Sequence, residues 1–588
     1  MNLNALIYKH RERYILAAFL AAALLLRIIY IGKVHGPIVY ADEMGYWGHA
    51  ANMTGNTWAG VMNGMPWYAC GYSFVLWPIF ILQSDMSTMY RMAVILNAVL
   101  GIMSFLLAYK IIKKMRFASG SVLLTAIMSF TVTSYSAYVF HTYVAWSETL
   151  LSFLIWLIFY EIISLEEVPK CWKSVLLGVT VGYSYMVHNR MLAVVAAVLL
   201  TQLVLLYYKK INKVNMLWFV VSLAAVICID ALAKGILKDL VQDNVMLQQM
   251  GLHVSFSKAN TLSAQISKFL QIFSLIGLKR FMINVAGQIW QMLSATYLLA
   301  GVGIFFCVKR LQEAVKKSEQ LSLYLLPVMS VFFTLMMTAL FFIDEDYSVR
   351  SNGSSIRIDT IFYGRYNDIF VGILILMALE CLLIHAEIKY WYRNITVLGL
   401  IYLLVAIVMH CSLKGIEKVY LNIVSAISIH MFHWLGEFSV WKCTGIALAV
   451  FVICLLMSSI KLRKQIGNTM ICILIVVLFL ATALKCMRLT IKGENDYTQQ
   501  YAEIFDFLHQ NTEAGEPVFT FAAGKFAYDL QTRLVNRPVI SIGPDQIDCV
   551  GEQHFIVMSE QEYIDFEGIE YDECLQDEGY MIIQKTED

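Results

Sequence analysis

The chain has 588 residues, 59% of them hydrophobic and only 15% charged, with a mean hydropathy of +0.64. An ordinary soluble chain carries roughly 25% charged residues, so this composition excludes a soluble enzyme and points to a multi-pass α-helical membrane protein. The formal net charge of +1 hides a split: residues 493–588 hold 21 acidic and 4 basic side chains, whereas residues 1–492 hold 22 and 40.

Apolar stretches predict about 13 transmembrane helices, near 14–34, 87–109, 118–137, 143–163, 172–187, 190–208, 214–236, 289–308, 321–343, 367–387, 395–412, 441–459 and 470–488. The first follows Lys9, Arg11 and Arg13 as a signal peptide does. No small-residue cleavage site follows it, only Gly32-Lys33-Val34-His35, so it is read as a retained helix. Loops after even-numbered spans are basic: Lys110, Lys113, Lys114 and Arg116, then Lys170 and Lys173, then Lys209, Lys210 and Lys213. The pattern continues at Lys309, Arg310, Lys316 and Lys317, at Lys389 and Arg393, and at Lys461, Arg463 and Lys464. Short basic loops stay in the cytoplasm, which puts the N-terminus inside and the acidic C-terminal tail outside. Basic residues spread over loops rather than one patch argue against nucleic-acid binding.

The outer side then carries the long loops, 35–86, 237–288, 344–366 and 413–440, and long loops usually have a function. Two short interfacial helices are expected in the first, near 42–54 and 71–83, with Asp42, Tyr46 and His49 about one turn apart. Residues 262–280 form another amphipathic candidate, in which Lys268, Lys279 and Arg280 can meet lipid phosphates. The tail reads as a small α/β unit, with a helix near 497–510 and strands at 517–521, 539–542, 555–558 and 580–583. Two domains follow: a membrane body, 1–492, and an acidic extracytoplasmic α/β domain, 493–588. Of the 12 cysteines, nine fall in or beside apolar segments and read as apolar filler. Spacing alone does not establish a Cys549–Cys574 disulfide.

Four polar clusters recur at helix ends on the outer side. Asp42-Glu43 opens the first interfacial helix, and carboxylates at a membrane boundary are costly to desolvate and mark functional sites by default. His141-Thr142-Tyr143 precedes Ser147-Glu148, with His141 and Glu148 two helical turns apart and able to share a face. His188-Asn189-Arg190 fills the turn between spans five and six. Tyr363-Gly364-Arg365-Tyr366-Asn367-Asp368 enters span ten. Each has a plainer reading: Asp42-Glu43 as a solvated pair, Glu148 as a helix N-terminal carboxylate, Arg190 as an interfacial anchor, and Arg365 as a partner of Asp344, Glu345 or Asp346. His141 and His188, taken singly, read as structural.

Together, two carboxylates and two arginines facing one cavity suit a particular chemistry. A carboxylate can take a proton from an acceptor hydroxyl while arginines hold a phosphate leaving group. A lipid-phosphate sugar meets both needs at a membrane surface, and one-step displacement with inversion needs neither a protein nucleophile nor a nucleotide site.

At these residues the chain resembles the GT-C superfamily of integral-membrane glycosyltransferases, which includes protein O-mannosyltransferases and the aminoarabinose transferase. Asp42-Glu43-Met44-Gly45-Tyr46 resembles their acidic first-loop motif, Gly71-Tyr72-Ser73 to Pro78 their interfacial helix, Ser147-Glu148 their second acidic position, and Arg365-Tyr366 their late Arg-Tyr pair. The prolines common before the interfacial helix are reduced to Pro66, with Cys70-Gly71 in their place. The resemblance implies a polyprenyl-phosphate-sugar donor and a glycan, lipid or protein acceptor, in a bacterial plasma membrane. It implies Asp42 as general base, with Glu43 and Glu148 beside it in catalysis. Arg190 and Arg365, then Lys279 and Arg280 as weaker candidates, are expected to bind the donor phosphate. Tyr46, His141, His188 and Tyr366 are the expected substrate contacts. No acidic or histidine cluster has metal-ligand spacing, which indicates no cofactor and leaves dependence on a divalent metal open.

Two other functions fit parts of the pattern. A transporter or flippase of lipid-linked glycans should show internal repeats and mid-membrane charges, whereas Asp230 and Glu380 are the exceptions within sparsely charged spans. A polysaccharide polymerase or ligase shares the outer arginines and long loop but usually lacks an acidic pair in the first loop.

Overall fold

The computed structural model describes residues 3–585 apart from 84, 118–120, 259–260, 318, 345–355, 384–387, 415–418, 421–422, 430–437, 460–463, 523, 552, 565–570 and 578. Ten described helices are long and apolar enough to cross a bilayer, or twelve if each of two bent pairs counts as one span. The protein is a multi-pass α-helical membrane protein with a C-terminal α/β unit. Its lipid-length helices carry exposed leucines, isoleucines and valines, such as Leu217, Leu232 and Leu404, the surface expected where the solvent is hydrocarbon.

Three expected spans take a different form. The stretch expected at 118–137 is two helices, Val122–Thr133 and Ser136–Thr142, bent by 68°. A bend inside a bilayer frees carbonyls that need partners. Arg27, 1% exposed, supplies one by donating to Thr133 O at 2.7 Å and to Ala23 O at 3.0 Å. The stretch expected at 289–308 falls on a break between the helices Leu275–Ala295 and Leu299–Lys317. Tyr297 and Leu298 adopt φ of 51° and 63° there, a left-handed backbone that ends a helix. Near 172–187 the helix Cys171–Val187 has 17 residues, fewer than the ~20 of a full perpendicular crossing.

Interhelix caps tie the body together. Glu166 accepts from the backbone N–H groups of Leu321 and Ser322 at 2.7 and 2.8 Å, so a carboxylate meets the N-terminus of the neighbouring helix Ser322–Phe341. The two helices expected in the first loop are present as Tyr40–Met53 and Ser73–Leu82. Gly71 lets the second approach the body closely: its N–H donates to Met186 O at 2.8 Å, and a Cβ there would sit 2.6 Å from Val187 N. The amphipathic stretch expected at 262–280 is the helix Leu262–Gln271, which turns by 97° into Leu275–Ala295.

The helix Lys464–Gln500 runs without a break across the sequence boundary at 492/493. Beyond it, the C-terminal unit has a five-stranded sheet in the order Val539–Ser541, Val518–Thr520, Phe555–Ser559, Tyr580–Lys585, Tyr571–Asp577. The first three strands are parallel and the last two antiparallel. The crossover helix Lys525–Arg533 and the edge strand Tyr571–Asp577 are additions to the sequence expectation. Cys549 and Cys574 are both free thiols. The unit is docked on the first loop: Trp58 Nε1 donates to Val535 O at 2.8 Å, and Gly60 lies against Val539 O with no room for a Cβ.

Candidate functional site

Four charged side chains from four separate segments meet in one network. Asp42 lies in the first turn of Tyr40–Met53, Glu148 in the first turn of Ser147–Glu167, Arg190 in the turn Asn189–Met191, and Arg365 at the start of Arg365–Leu383. Arg365 Nε donates to Glu148 Oε1 at 2.5 Å, and its Nη1 pairs with Asp42 Oδ2. Arg190 Nη2 lies 3.0 Å from the same Glu148 oxygen. The Glu148 side chain is fully buried and those of both arginines nearly so, while that of Asp42 keeps 26% exposure. Asp42 is therefore the member of the network open to an incoming molecule.

Aromatic rings fix the guanidiniums. Arg365 Cζ lies 3.8 Å from the centroid of Trp146, and Arg190 Cζ 4.6 Å from that of Tyr366, cation–π contacts that hold Arg in place more firmly than Lys. Arg365 also donates to Tyr363 Oη at 3.4 Å. The buried Arg190 Nε and Nη1 have no hydrogen-bond partner among the described residues. Buried donors left without acceptors are unfavourable, so this guanidinium has capacity for an anion.

The sequence candidates divide around this network. Tyr46, 1% exposed, donates to Ser147 Oγ at 3.0 Å, and Ser147 donates to Glu148 Oε2 at 3.1 Å. His188 accepts from Arg190 N–H through Nδ1 at 3.2 Å and packs on Tyr366; burial and the adjacent Arg190 push its pKa well below the usual imidazole value. His141 is buried beside Trp146, with both ring nitrogens unpaired among the described residues. It does not share a helix with Glu148, as the spacing suggested. The helix Ser136–Thr142 ends first, and Trp146 is extended, at φ −136° and ψ −176°. Asp344, one suggested partner of Arg365, instead faces Lys268 at 3.6 Å; Glu345 and Asp346 lie outside the described residues. Lys279 is exposed and Arg280 half-buried on the first turns of Leu275–Ala295, whereas the described ion pairs of Asp42 and Glu148 go to Arg365 and Arg190.

Glu43 faces away from this network. It is fully buried. Oε2 accepts from the N–H groups of Ile38 and Val39, both at 2.6 Å, and Oε1 from Tyr90 Oη and Ala145 N–H, both at 2.7 Å. It ties the incoming chain and the turn before Glu148 to the helix that carries Asp42. Burial pushes its carboxyl up to about 7, against the lowering pull of these hydrogen bonds.

Tyr68 is a site residue that sequence reasoning missed. Its hydroxyl donates to Asp42 Oδ1 at 2.7 Å. The signal for it was Gly45 in the acidic motif, where a Cβ would lie 2.1 Å from the Tyr68 ring. Only glycine lets that ring cross the helix. Among the described residues, no group of three or more His, Cys, Asp or Glu side chains could hold a metal ion.

The helical body, its broken helices and the appended sheet define the class: a multi-pass α-helical membrane protein with a C-terminal α/β unit. In fold the chain is similar to ArnT from Cupriavidus metallidurans. The structure of that protein bound to undecaprenyl phosphate matches with a TM-score of 0.50 and 11% identity, over 96% of this chain and 97% of the other. Its apo structure matches with a TM-score of 0.51 and 10% identity over the same shares. No family model matches the sequence, and no curated protein does.

Proposed function

We propose that this chain is a membrane glycosyltransferase that moves a sugar from a polyprenyl-phosphate donor to an acceptor hydroxyl on the outer face of the membrane. The observation that carries this reading is the buried Asp42–Arg365–Glu148–Arg190 network, in which Arg190 keeps unpaired N–H donors beside an accessible carboxylate. The likeness in fold to ArnT, whose structure holds undecaprenyl phosphate, supports a lipid-linked donor.

The donor phosphate meets Arg190 and competes with Asp42 for Arg365, since a phosphate is a stronger bidentate partner than a single carboxylate oxygen. Losing that partner leaves one Asp42 oxygen for the acceptor hydroxyl, while Tyr68 holds the other. The acceptor oxygen bonds to the anomeric carbon as its proton passes to Asp42. The bond from that carbon to the phosphate oxygen breaks, and its electron pair leaves on polyprenyl phosphate. Configuration inverts, because base and leaving group stand on opposite faces of the sugar. Glu148 fixes both guanidiniums without touching substrate, and Glu43 holds the Asp42 helix. Residues 1–492 form the catalytic body and 493–588 an extracytoplasmic support.

The test is transfer of radiolabelled sugar from polyprenyl-phosphate donors in native membranes. Asp42→Asn should retain binding of undecaprenyl phosphate and lose transfer, whereas Arg190→Ala should weaken the binding itself. Full transfer by Asp42→Asn rejects the assignment.

A further inference from the structure

A cavity of about 450 Å³ lies between the segment leaving the first span, the start of the second, and the helices and loops of the C-terminal unit. That volume falls within the roughly 300–1,000 Å³ of small-ligand sites. His35 and Ser87 line it from the body, and Asn495, Phe505, Asp506 and Arg533 from the C-terminal side. Asp506 is exposed and Arg533 half-buried, and neither has a recorded hydrogen bond or ion pair among the described residues. Arg533 Cζ lies 5.9 Å from the centroid of the buried Phe505 ring, so the ring steadies a guanidinium whose N–H donors have no partner among the described residues.

The lining selects among ligand classes. Asp85, Glu494, Asp506 and Asp529 share the wall with Lys33, Arg533 and Arg537, so a phosphate would meet four carboxylates against three cations. All of the lining comes from helices and loops, which leaves no strand edge on which an extended peptide could add. Acceptors and donors of both signs, interleaved with hydroxyls and amides, suit a molecule whose hydroxyls both donate and accept. The wall also reaches the candidate site. Ile38 lines the cavity, and its N–H is held by Glu43, the neighbour of Asp42.

We infer that this cavity is a saccharide-binding subsite for the non-reacting part of a glycan acceptor. The inference rests on the glycosyltransferase reading, and it narrows the acceptor to a sugar chain seated between the first loop and the C-terminal unit.

The experiment is saturation-transfer NMR on the full chain in lipid nanodiscs, with maltotriose and triacetylchitotriose as probes. At least one should give a signal that falls at least fivefold in both Arg533→Ala and Asp506→Asn and persists in Asp42→Asn. Asp506 is exposed, so its variant separates loss of binding from loss of fold. Silence from both sugars overturns the inference, as does a signal that survives both variants. Displacement of the sugar by millimolar inorganic phosphate, or by a serine-containing hexapeptide, also overturns it, since the cavity then serves an anion or a peptide. The two readings fail separately. Without sugar binding, transfer that depends on Asp42 leaves the enzyme reading standing and removes the subsite. Sugar binding by a parent chain that transfers no sugar from any polyprenyl-phosphate donor removes the enzyme reading and leaves the subsite.

Discussion

Glu148→Gln tests the network where it is most constrained. One Glu148 oxygen faces Arg365 Nε at 2.5 Å and Arg190 Nη2 at 3.0 Å, in a fully buried position. The amide keeps an acceptor but removes the charge, leaving two buried guanidiniums against Asp42 alone. Breaking a buried pair costs about 3–5 kcal/mol, and the retained acceptor favours the lower end, about 3 kcal/mol. Unfolding entropy of roughly 2.1 cal/mol/K per residue over 588 residues amounts to roughly 1.2 kcal/mol/K, so the melting temperature should fall by roughly 2–3 °C. Intrinsic tryptophan fluorescence during heating in detergent reads this directly. Undecaprenyl phosphate should restore more of the melting temperature in the variant than it adds to the parent, because its headgroup supplies the missing charge. An unchanged melting temperature, or equal lipid effects on both proteins, refutes the account of Glu148 as the common counter-charge.

Tyr68→Phe removes the hydroxyl that holds Asp42; one hydrogen bond of about 1.4 kcal/mol corresponds to a roughly tenfold drop in kcat, with donor KM unchanged, in steady-state transfer assays. Gly45→Ala should reach at least the same loss, because the methyl displaces the whole Tyr68 ring; retention of full activity would show that the ring does not position Asp42. Burial raises the Glu43 pKa from 4.5 to about 7 in the folded chain. The native state therefore holds this proton more tightly, and the group's contribution to stability is complete below pH 4.5, declines between 4.5 and 7, and is lost above 7. That slope is worth on the order of 3 kcal/mol, and Glu43→Gln should flatten it in melting temperatures recorded from pH 5 to 8.

The spans were legible because hydropathy over some 20 residues needs no knowledge of neighbours. Their interruptions were not. The bend after Thr133 depends on Arg27, more than a hundred residues away, accepting the role of carbonyl partner, and no local signal announces it. The break at Tyr297-Leu298 uses residue types that ordinarily continue a helix. In the C-terminal unit, Tyr571–Asp577 escaped notice because an edge strand with four acidic residues or their amide among seven, Tyr-Asp-Glu-Cys-Leu-Gln-Asp, lacks the apolar run of a central strand. Asp42, Glu148, Arg190 and Arg365 could be selected from sequence because charges are rare in such a chain. Their convergence could not, since it joins residues up to 323 positions apart. The resemblance favoured Asp42 over its neighbour Glu43 as the base, but only three-dimensional packing shows that one carboxylate is accessible and the other enclosed by four donors.

The seam at Trp58 and Gly60 has a consequence for how the chain can be divided. The indole is fastened to Val535 O, and Gly60 leaves no gap before Val539 O, so the acidic unit is held by the first loop as well as by the helix that leads into it. A cut in the connecting helix removes one of two attachments. Expressed as two polypeptides, the body and the acidic unit retain a complementary surface on which to reassemble, and the loop bearing Asp42 is part of that surface.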